Sequence, residues 1–404
     1  MGWCARLGVV VLAILALPAG ADDRRGFDSR RREREARLAA GGGGVRTEEA
    51  VKDGLAWLAR HQGDDGSWSA DAFADECKGT PCDGPGIADY RIGVTGLALL
   101  AFLGAGYTHL SRETTVDGTS CGEVVKKGFR YLLQQQGADG KIGIGPKYVY
   151  SHAVATLALV EEFGMTSSAI FKEPAQMAIG YLVGAQNPGR GWRYAARSGE
   201  SDTSVTSWCV MALEEARVSG LEVPQKALDD AYAWIEGATE AKTNKVGYTS
   251  VENAGIKVVV AGKNEDYRNH EAMTAIGMLC RAEIKHDPKD EVVKAGLGIL
   301  AADLPAWDPG RLGNDYYYWY YGTLAMFQAD GPGSDGAHGA WKKWEEAVRN
   351  ALVLHQRSEE DGCARGSWDA DDRWGFEGGR VYATAMNTMT LEIYYRYPSA
   401  FEGK

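Results

Sequence analysis

The sequence has no long hydrophobic run after residue 21, no excess of positive charge and no local metal-binding motif. A transmembrane helix needs about 20 consecutive apolar residues, so the chain beyond residue 21 is not predicted to span a membrane. The net charge of -11 disfavours binding to nucleic acid or anionic lipid. Neither a pair of Cys-x-x-Cys motifs nor a His-Glu-x-x-His motif is present, so we predict no metal site and no cofactor.

Residues 1–21 are typical of a secretory signal peptide. They contain the basic Arg6, the apolar run Val9–Leu17 and the small residues Ala19-Gly20-Ala21 at the expected cleavage site. We expect cleavage and a secreted or periplasmic protein, the alternative being an uncleaved N-terminal anchor. Residues 22–44 are predicted to be a polar, flexible linker, because they contain a run of arginines and end in four glycines.

The cysteines leave the question of disulfide bonds open. Export would permit disulfides, and Cys77 and Cys82 lie close together in a segment rich in glycine and proline. This pair is predicted to form either a local disulfide or two free thiols. Cys209 and Cys280 lie in apolar helical stretches and are predicted to be buried thiols.

Residues 45–404 contain an internal repeat, in which an amphipathic helix is followed by a turn and a more apolar helix. The apolar helices must be covered on all sides, so we predict an all-α fold of six helix pairs, an (α/α)6 toroid with the apolar helices inside. The predicted outer helices are Glu48–Gln62, Gly122–Gln136, Pro174–Gln186, Gln225–Gly237, Glu291–Ala302 and Trp341–Gln356, and the predicted inner helices are Ile92–Gly104, Ser151–Phe163, Thr203–Val218, Glu271–Ile284, Tyr316–Gln328 and Tyr382–Tyr395.

Four turns between these helices share a pattern, which is clearest in residues 62–68, Gln-Gly-Asp-Asp-Gly-Ser-Trp. Glycine permits the positive φ that ends a helix, and Trp supplies a large apolar surface for packing. The pattern resembles the QW motif of squalene and hopene cyclases and of the wider prenyltransferase and squalene-oxidase repeat family. The resemblance covers about residues 48–397 and implies an α/α toroid, with structural roles for Gln62, Trp68, Gln136, Trp192, Gln356 and Trp368.

The resemblance also implies an active centre at the N-terminal ends of the inner helices, where unpaired N–H groups favour acids and anions. Class II cyclases start their reaction with an Asp-x-Asp-Asp-Thr segment, but this chain has Ser204 and Val205 after Asp202 where the later acids belong. A serine cannot supply the strong acid that protonates an alkene. Protein prenyltransferases bind zinc through an Asp-x-Cys segment and a later His, and Ser204 and Tyr318 stand at those positions. Neither class II cyclisation nor zinc-dependent prenyl transfer is therefore predicted.

Aromatic and polar residues gather at the predicted N-terminal ends of the inner helices, and the run Tyr316–Tyr321 is the densest. A π-rich lining can stabilise cations or stack on sugars. We therefore predict an exported toroid that binds a hydrophobic ligand, such as an isoprenoid, in a central aromatic pocket. The alternatives are a divergent terpenoid cyclase-like or glycan-active enzyme with Asp202 as the catalytic residue, and an extracellular interaction module. The predicted ligand-binding residues are Tyr150, His152, Trp208, His270, Tyr317, Tyr318, Arg380 and Tyr382.

Overall fold

The structure is a computed structural model, and it describes residues 34–145, 147–253, 258–260, 263–265, 270–287, 289–310, 314–332, 334 and 336–396. The predicted signal peptide lies outside these residues. The α-helices are α1 (Arg34–Gly41), α2 (Val45–Arg60), α3 (Arg91–Gly104), α4 (Cys121–Gln134), α5 (Tyr148–Thr166), α6 (Ala169–Ala185), α7 (Thr203–Val218), α8 (Gln225–Gly237), α9 (His270–Lys285), α10 (Glu291–Ala301), α11 (Tyr316–Asp330), α12 (Gly339–Val353), α13 (Gly375–Leu391) and α14 (Ile393–Arg396). Within the described part of the chain, none of them is long and apolar enough to cross a membrane.

The helices form two concentric rings. The inner helices α3, α5, α7, α9, α11 and α13 each pack against the next, and α13 packs against α3 to close the ring. The outer helices α2, α4, α6, α8, α10 and α12 cover them. Two short antiparallel strands, β1 (Val258–Val260) and β2 (Lys263–Glu265), precede α9. The predicted (α/α)6 toroid is confirmed.

Burial separates the two rings as the hydrophobic pattern predicts. In the inner helix α3, every residue after Arg91 is buried, including small residues that let neighbouring helices approach closely. The outer helix α4 buries one face, which includes Val125, Phe129 and Leu132, and exposes its charged side chains. An inner helix therefore has no solvent-facing side, because it contacts two inner neighbours and an outer helix.

A repeated hydrogen-bond pattern connects each of the four turns that share the sequence pattern to the next helix pair. The side-chain amide of Gln62 donates to the carbonyl oxygens of Gly66, in its own turn, and Val124, in α4, each over 2.9 Å. Gln136, Gln186 and Gln356 make the equivalent pairs of bonds. The last of these reaches Ala50 in α2 over 2.7 Å, so this bond joins the end of the repeat array to its beginning.

The turn tryptophans anchor the same segments from inside. The indole N–H groups of Trp68 and Trp192 donate to backbone carbonyls of the preceding outer helices over 2.7 Å, and Trp368 does so over 2.9 Å. All three side chains are fully buried. Gly66 has a φ of +90°, and a Cβ there would lie 2.3 Å from the carbonyl oxygen of Lys127, so both conformation and space require glycine.

The segment predicted to be a flexible linker is helical in its second half, where it forms α1. Leu38 is buried, and the indole of Trp341 donates to the carbonyl of Gly41 over 2.9 Å. A Cβ on Gly41 would lie 2.4 Å from the ring of Tyr394, and one on Gly43 would lie 2.3 Å from Leu38. The glycine run therefore permits close packing of α1 on the toroid, which composition alone did not indicate.

Two helix starts differ from the prediction by five residues or more. The helix predicted to start at Pro174 begins at Ala169, and Pro174 lies inside α6, where it removes one backbone hydrogen bond and crowds the carbonyl of Ile170. The last inner helix, predicted over Tyr382–Tyr395, begins at Gly375, and a non-helical Gly379 with a φ of +68° interrupts its first turn. This break turns residues 376–378 toward the centre of the ring.

Candidate functional site

A cavity of about 400 Å³ lies where the N-terminal parts of the inner helices meet. Each inner helix contributes to its wall within the first part of its length, so the cavity lies on the axis of the ring. The lining residues are Tyr90, Gly93, Val94, Leu97, Lys147, Tyr150, Ser151, Val154, Arg193, Tyr194, Ser204, Tyr248, Met273, Tyr317, Trp374, Phe376, Glu377, Gly378 and Tyr382.

The wall is mainly aromatic and aliphatic, and its polar groups are unevenly distributed. Deep in the cavity, Leu97, Met273 and Tyr317 are nearly inaccessible to solvent. Lys147 and Glu377 are partly exposed and mark the opening. Among the described lining residues there is one carboxylate and no histidine or cysteine, so this wall does not offer a set of metal ligands.

An ion pair crosses the opening. The ammonium group of Lys147 lies 3.0 Å from the nearer carboxylate oxygen of Glu377, a contact between residues 230 positions apart. The same ammonium lies 5.7 Å from the ring centre of Tyr90 and 5.6 Å from that of Tyr194, within the range of a cation–π contact. Burial by itself would lower the pKa of Lys147, but hydrogen bonds with Tyr90 and Glu377 raise it above its ordinary value. The rim therefore carries a protonated ammonium group, paired with Glu377, beside aromatic faces.

Lys147 owes its position to the backbone. It is the residue before α5 and adopts a left-handed conformation with a φ of 58°, which is uncommon for a residue other than glycine. Burial raises the pKa of the neighbouring Tyr90 to about 12, so this phenol stays protonated and can donate a hydrogen bond. A strained backbone at a cavity rim is consistent with a functional constraint.

Asp202 lies behind the cavity wall, as the N-cap of α7. Its Oδ1 accepts hydrogen bonds from the Val205 amide over 2.7 Å and the Ser204 hydroxyl over 3.2 Å, and its Oδ2 lies 3.7 Å from Nε of Arg193. The side chain is completely buried. Burial raises the pKa of Asp202 to about 6, although these hydrogen bonds and Arg193 favour the ionised form. Asp202 itself does not reach the wall, but Arg193 and Ser204 do.

Further tyrosines connect this wall to the helices behind it. The hydroxyls of Tyr194 and Tyr248 lie 2.6 Å apart, and the indole of Trp208 donates to the hydroxyl of Tyr150 over 2.8 Å. Trp208 in turn stacks on Tyr320, with ring centres 5.9 Å apart and an interplanar angle of 11°. The polar ends of these rings are therefore held by hydrogen bonds, while their faces form the wall and its support.

Two more buried acids lie beneath Trp374 and Tyr382. Asp315 caps α11 by accepting the amide of Tyr318 over 2.9 Å, and the hydroxyl of Tyr382 donates to Asp372 over 3.4 Å. Burial raises the pKa of Asp315 to about 7. Burial also raises the pKa of Asp372 above its ordinary value, and the nearby Asp315 adds to this effect. Near neutral pH the two acids beneath the cavity therefore carry less negative charge than exposed carboxylates would.

The predicted ligand-binding residues divide into three groups. Tyr150, Tyr317 and Tyr382 line the cavity, and Trp208 supports Tyr150 from behind. The side chain of His270 lies outside the described part of the structure.

The remaining three, His152, Tyr318 and Arg380, point elsewhere. Nδ1 of His152 accepts the backbone amide of Ile142 over 3.1 Å, which places the ring between an inner helix and a turn. Tyr318 donates to the carbonyl of Asp303 over 2.8 Å, on the outer side of α11. Arg380 donates to the carbonyl of Asp83 over 2.9 Å and to the hydroxyl of Ser367 over 2.8 Å, and it forms an ion pair with Asp369. These contacts give the three residues structural roles.

Comparison with known proteins identifies the fold and no more. No protein-family model matches the sequence, and no curated protein matches it. Among solved structures, an inactive variant of an alpha-1,6-mannanase of Salegentibacter sp. in complex with alpha-1,6-mannotriose is similar, with a TM-score of 0.56 and 11% identity over 86% of this chain and 99% of that one. A variant of the type II terpene cyclase MstE from Scytonema, in complex with its substrate geranylgeranyl dihydroxybenzoate, has a TM-score of 0.52 and 12% identity over 87% and 97% of the two chains.

An alpha-amylase from Clostridium perfringens is similar to the same degree, with a TM-score of 0.53 and 10% identity over 86% of this chain and 97% of that one. These relatives place the chain in the class of α/α toroid proteins, which includes terpene cyclases and glycan-active enzymes. At such low identity, the particular activity has to be argued from this chain's own site.

Proposed function

We propose that the central cavity binds a hydrophobic molecule of isoprenoid type, with its apolar part among the deep side chains and its polar end at the charged rim. The observation that carries this proposal is the gradient of polarity along the cavity. Its interior is formed by Leu97, Met273 and aromatic faces, whereas the charged pair of Lys147 and Glu377 stands at the opening. A volume of about 400 Å³ is within the range of sites that enclose small ligands.

The two kinds of fold relative make different demands on such a cavity. The cyclase MstE holds a geranylgeranyl chain attached to a polar ring, and a wall of aliphatic and aromatic side chains suits that class of molecule. A glycan requires many hydrogen bonds, and its hydrolysis generally requires two carboxylates facing the bond. Among the described residues, only Glu377 offers a carboxylate to the cavity. The lining therefore favours the hydrophobic ligand.

Filling the cavity tests this proposal. Leu97→Trp adds a large ring to the interior wall, while Leu110→Trp makes the same exchange at a side chain that is 63% exposed and serves as the matched control. Isothermal titration with geranylgeraniol should show saturable binding to the unchanged protein and to the control, and at least about tenfold weaker binding to Leu97→Trp. Circular dichroism should show that all three proteins are folded. Binding of alpha-1,6-mannotriose in place of geranylgeraniol, or equal affinity in both variants, would contradict the proposal.

A second candidate function is acid catalysis on a ligand in the same cavity, with the proton of Asp202 passed on through the hydroxyl of Ser204, which lies 3.2 Å from Oδ1 and faces the cavity. The buried carboxyl has a pKa near 6, so it is protonated in mildly acidic conditions, and its neighbours Arg193 and Ser204 face the cavity. A general acid works best when its pKa is close to the working pH. Asp202→Asn should retain ligand binding and lose turnover of an isoprenoid substrate, measured by mass spectrometry of the products. Unchanged turnover would remove Asp202 from the mechanism.

We also propose that the protein is exported, since residues 1–21 have the pattern of a signal peptide. N-terminal sequencing of the protein recovered from the periplasm or medium of an expressing cell should begin after Ala21. Recovery of the intact N-terminus from the cell membrane would instead support an uncleaved anchor.

A further inference from the structure

Four potential metal ligands, none of them in the cavity lining, meet at one place. His61 follows α2, Cys77 and Cys82 lie in the loop after a short 3-10 helix at Phe73–Glu76, and Cys363 lies in another 3-10 helix between α12 and α13. The imidazole nitrogen and the three sulfur atoms all lie within 4.8 Å of one another. Each residue belongs to the connection between the outer and the inner helix of the first or the last pair.

The distances between these atoms match the edges of a zinc tetrahedron. Nε2 of His61 lies 3.4 Å from Sγ of Cys77, 3.7 Å from Sγ of Cys82 and 3.4 Å from Sγ of Cys363. With Zn–S bonds of about 2.3 Å and Zn–N bonds of about 2.0 Å, a regular tetrahedron has N···S edges of about 3.5 Å. The three N···S distances therefore fit one tetrahedral ion, and the sulfurs lie within 4.8 Å of one another.

The orientation of His61 is an independent indication of metal binding. Its Nδ1 lies 2.8 Å from the backbone carbonyl of Trp57, so Nδ1 carries the proton and Nε2 presents a lone pair to the three sulfurs. A hydrogen bond from the remote ring nitrogen to a carbonyl is the usual way in which proteins fix a histidine that ligates a metal. The ring is held further by stacking on Trp57, at 4.1 Å between centres, and by an edge contact with Phe73.

The cysteine environment also fits thiolate ligands better than a disulfide. All three cysteines of the cluster are free thiols, and the backbone amide of Cys82 donates to Sγ of Cys77 over 3.2 Å, which stabilises a charged sulfur. A disulfide between Cys77 and Cys82, one of the two predicted states, would use two of the sulfurs. It would not account for the contact between Cys363 and His61. A metal ion uses all four groups.

We propose that His61, Cys77, Cys82 and Cys363 bind one Zn²⁺ ion in a closed site that joins the first and last repeats. Three thiolates and one imidazole are the soft ligands that zinc prefers, and four protein ligands leave no position open for a substrate. The site is therefore structural. Because His61 and Cys363 are 302 positions apart, the ion would fasten the ring where the chain itself provides no connection, which is where a cross-link restricts the unfolded chain most.

The test measures metal content and metal spectroscopy on the full chain, purified under reducing conditions. Elemental analysis should find about one zinc ion per chain. Replacement of zinc by cobalt should give the visible absorption bands of tetrahedral cobalt together with thiolate-to-cobalt charge transfer. Cys82→Ala and Cys363→Ala should each lose nearly all bound zinc and the charge-transfer bands of a three-thiolate site. Cys121→Ala, which removes a buried thiol from outside the cluster, is the matched control and should keep both.

Thermal denaturation provides a second readout, which the unchanged protein can supply even if a variant fails to fold. A strong chelator should lower the Tm of the unchanged protein and of Cys121→Ala, since an ion that binds only the folded state stabilises it by mass action. The chelator should leave the Tm of Cys82→Ala unchanged. Reduced protein that contains no zinc and takes up no cobalt, or a Cys77–Cys82 disulfide found by mass spectrometry in the exported protein, would overturn the proposal.

Discussion

The buried carboxyl of Asp202 should make the stability of the protein depend on pH in a way that a single substitution removes. Asp202→Asn keeps the N-cap, because an amide oxygen can still accept the Val205 amide and the Ser204 hydroxyl. The substitution abolishes only the ability of this position to ionise. The difference in stability between the two proteins, followed across pH, therefore isolates the ionisation of one side chain.

The sign and size of the effect follow from the pKa in the two states. The ordinary pKa of an aspartate is 3.8, and burial raises that of Asp202 to about 6 in the folded protein. Below pH 3.8 both states are protonated, and this position favours neither. As the pH rises from 3.8 to about 6, the unfolded chain ionises first, so the folded state loses stability. Above that window both states are ionised, and the loss is constant at about 3 kcal/mol.

Urea denaturation at pH 3.5 and at pH 7.5 measures this loss. The free energy of unfolding of Asp202→Asn should exceed that of the unchanged protein by about 3 kcal/mol more at pH 7.5 than at pH 3.5. The other titrating groups, including Asp315 and the buried His152, are common to both proteins and cancel in the difference. A difference that stays flat across this range, or that grows toward acid pH, would refute the reasoning that burial controls this carboxyl.

Two further substitutions test how the ring is held together. Gly366→Ala should destabilise the protein by about 1–3 kcal/mol or more, measured by thermal denaturation. Gly366 has a φ of +86°, and a Cβ there would lie 2.2 Å from the carbonyl oxygen of Asp53. The control Gly220→Ala, at a φ of +77° with open space around the Cβ, should cost less. Arg396→Met should cost about 3–5 kcal/mol, because it removes the guanidinium that lies 2.9 Å from the fully buried Glu161; a loss below 1 kcal/mol by urea denaturation would show that this ion pair is dispensable.

The fold was predictable because its signals are local. Hydrophobic periodicity and the turn pattern recur in each repeat, and two of the predicted helices, Thr203–Val218 and Gln225–Gly237, match the structure to the residue. The glycine run before residue 45 was harder to interpret, because the same composition suits a free tether and a tightly packed segment. Only the positions of Leu38 and Tyr394 distinguish the two.

The candidate site was predictable in part. Residues at the N-terminal ends of inner helices, such as Tyr150 and Tyr317, could be placed by register alone. Lys147 and Glu377 could not, because the first depends on a left-handed backbone before α5 and the second on the break at Gly379. His152 illustrates the opposite error: its chemistry suggested a ligand contact, but its ring accepts the same kind of turn amide that threonine hydroxyls accept in other repeats.

The proposed zinc site had only a partial signal in the sequence, because the spacing of Cys77 and Cys82 suits zinc ligands and also a local disulfide. His61, Cys77 and Cys82 lie in the connection between α2 and α3, and Cys363 lies in the connection between α12 and α13, so no short spacing links Cys363 to the other three. Their meeting depends on the curvature of the whole ring, which brings the last repeat against the first. A single cysteine pair does not identify a metal site from spacing alone, because the second half of the ligand set has to be recognisable as well.

Closure of the ring and formation of the cavity are the same structural event. Every inner helix supplies part of the wall, so an open superhelix of the same repeats would have no enclosed cavity. The bonds across the junction of the last and first repeats, including Gln356 to Ala50 and the proposed zinc ligands, therefore support the cavity although they lie outside it. A ligand present at a hundredfold excess over its dissociation constant would add about 2.7 kcal/mol to the closed state. The ligand would bind on the axis of the ring, and the ion would bind at the junction of the first and last repeats. Because both stabilise the closed ring, binding of either one should favour binding of the other.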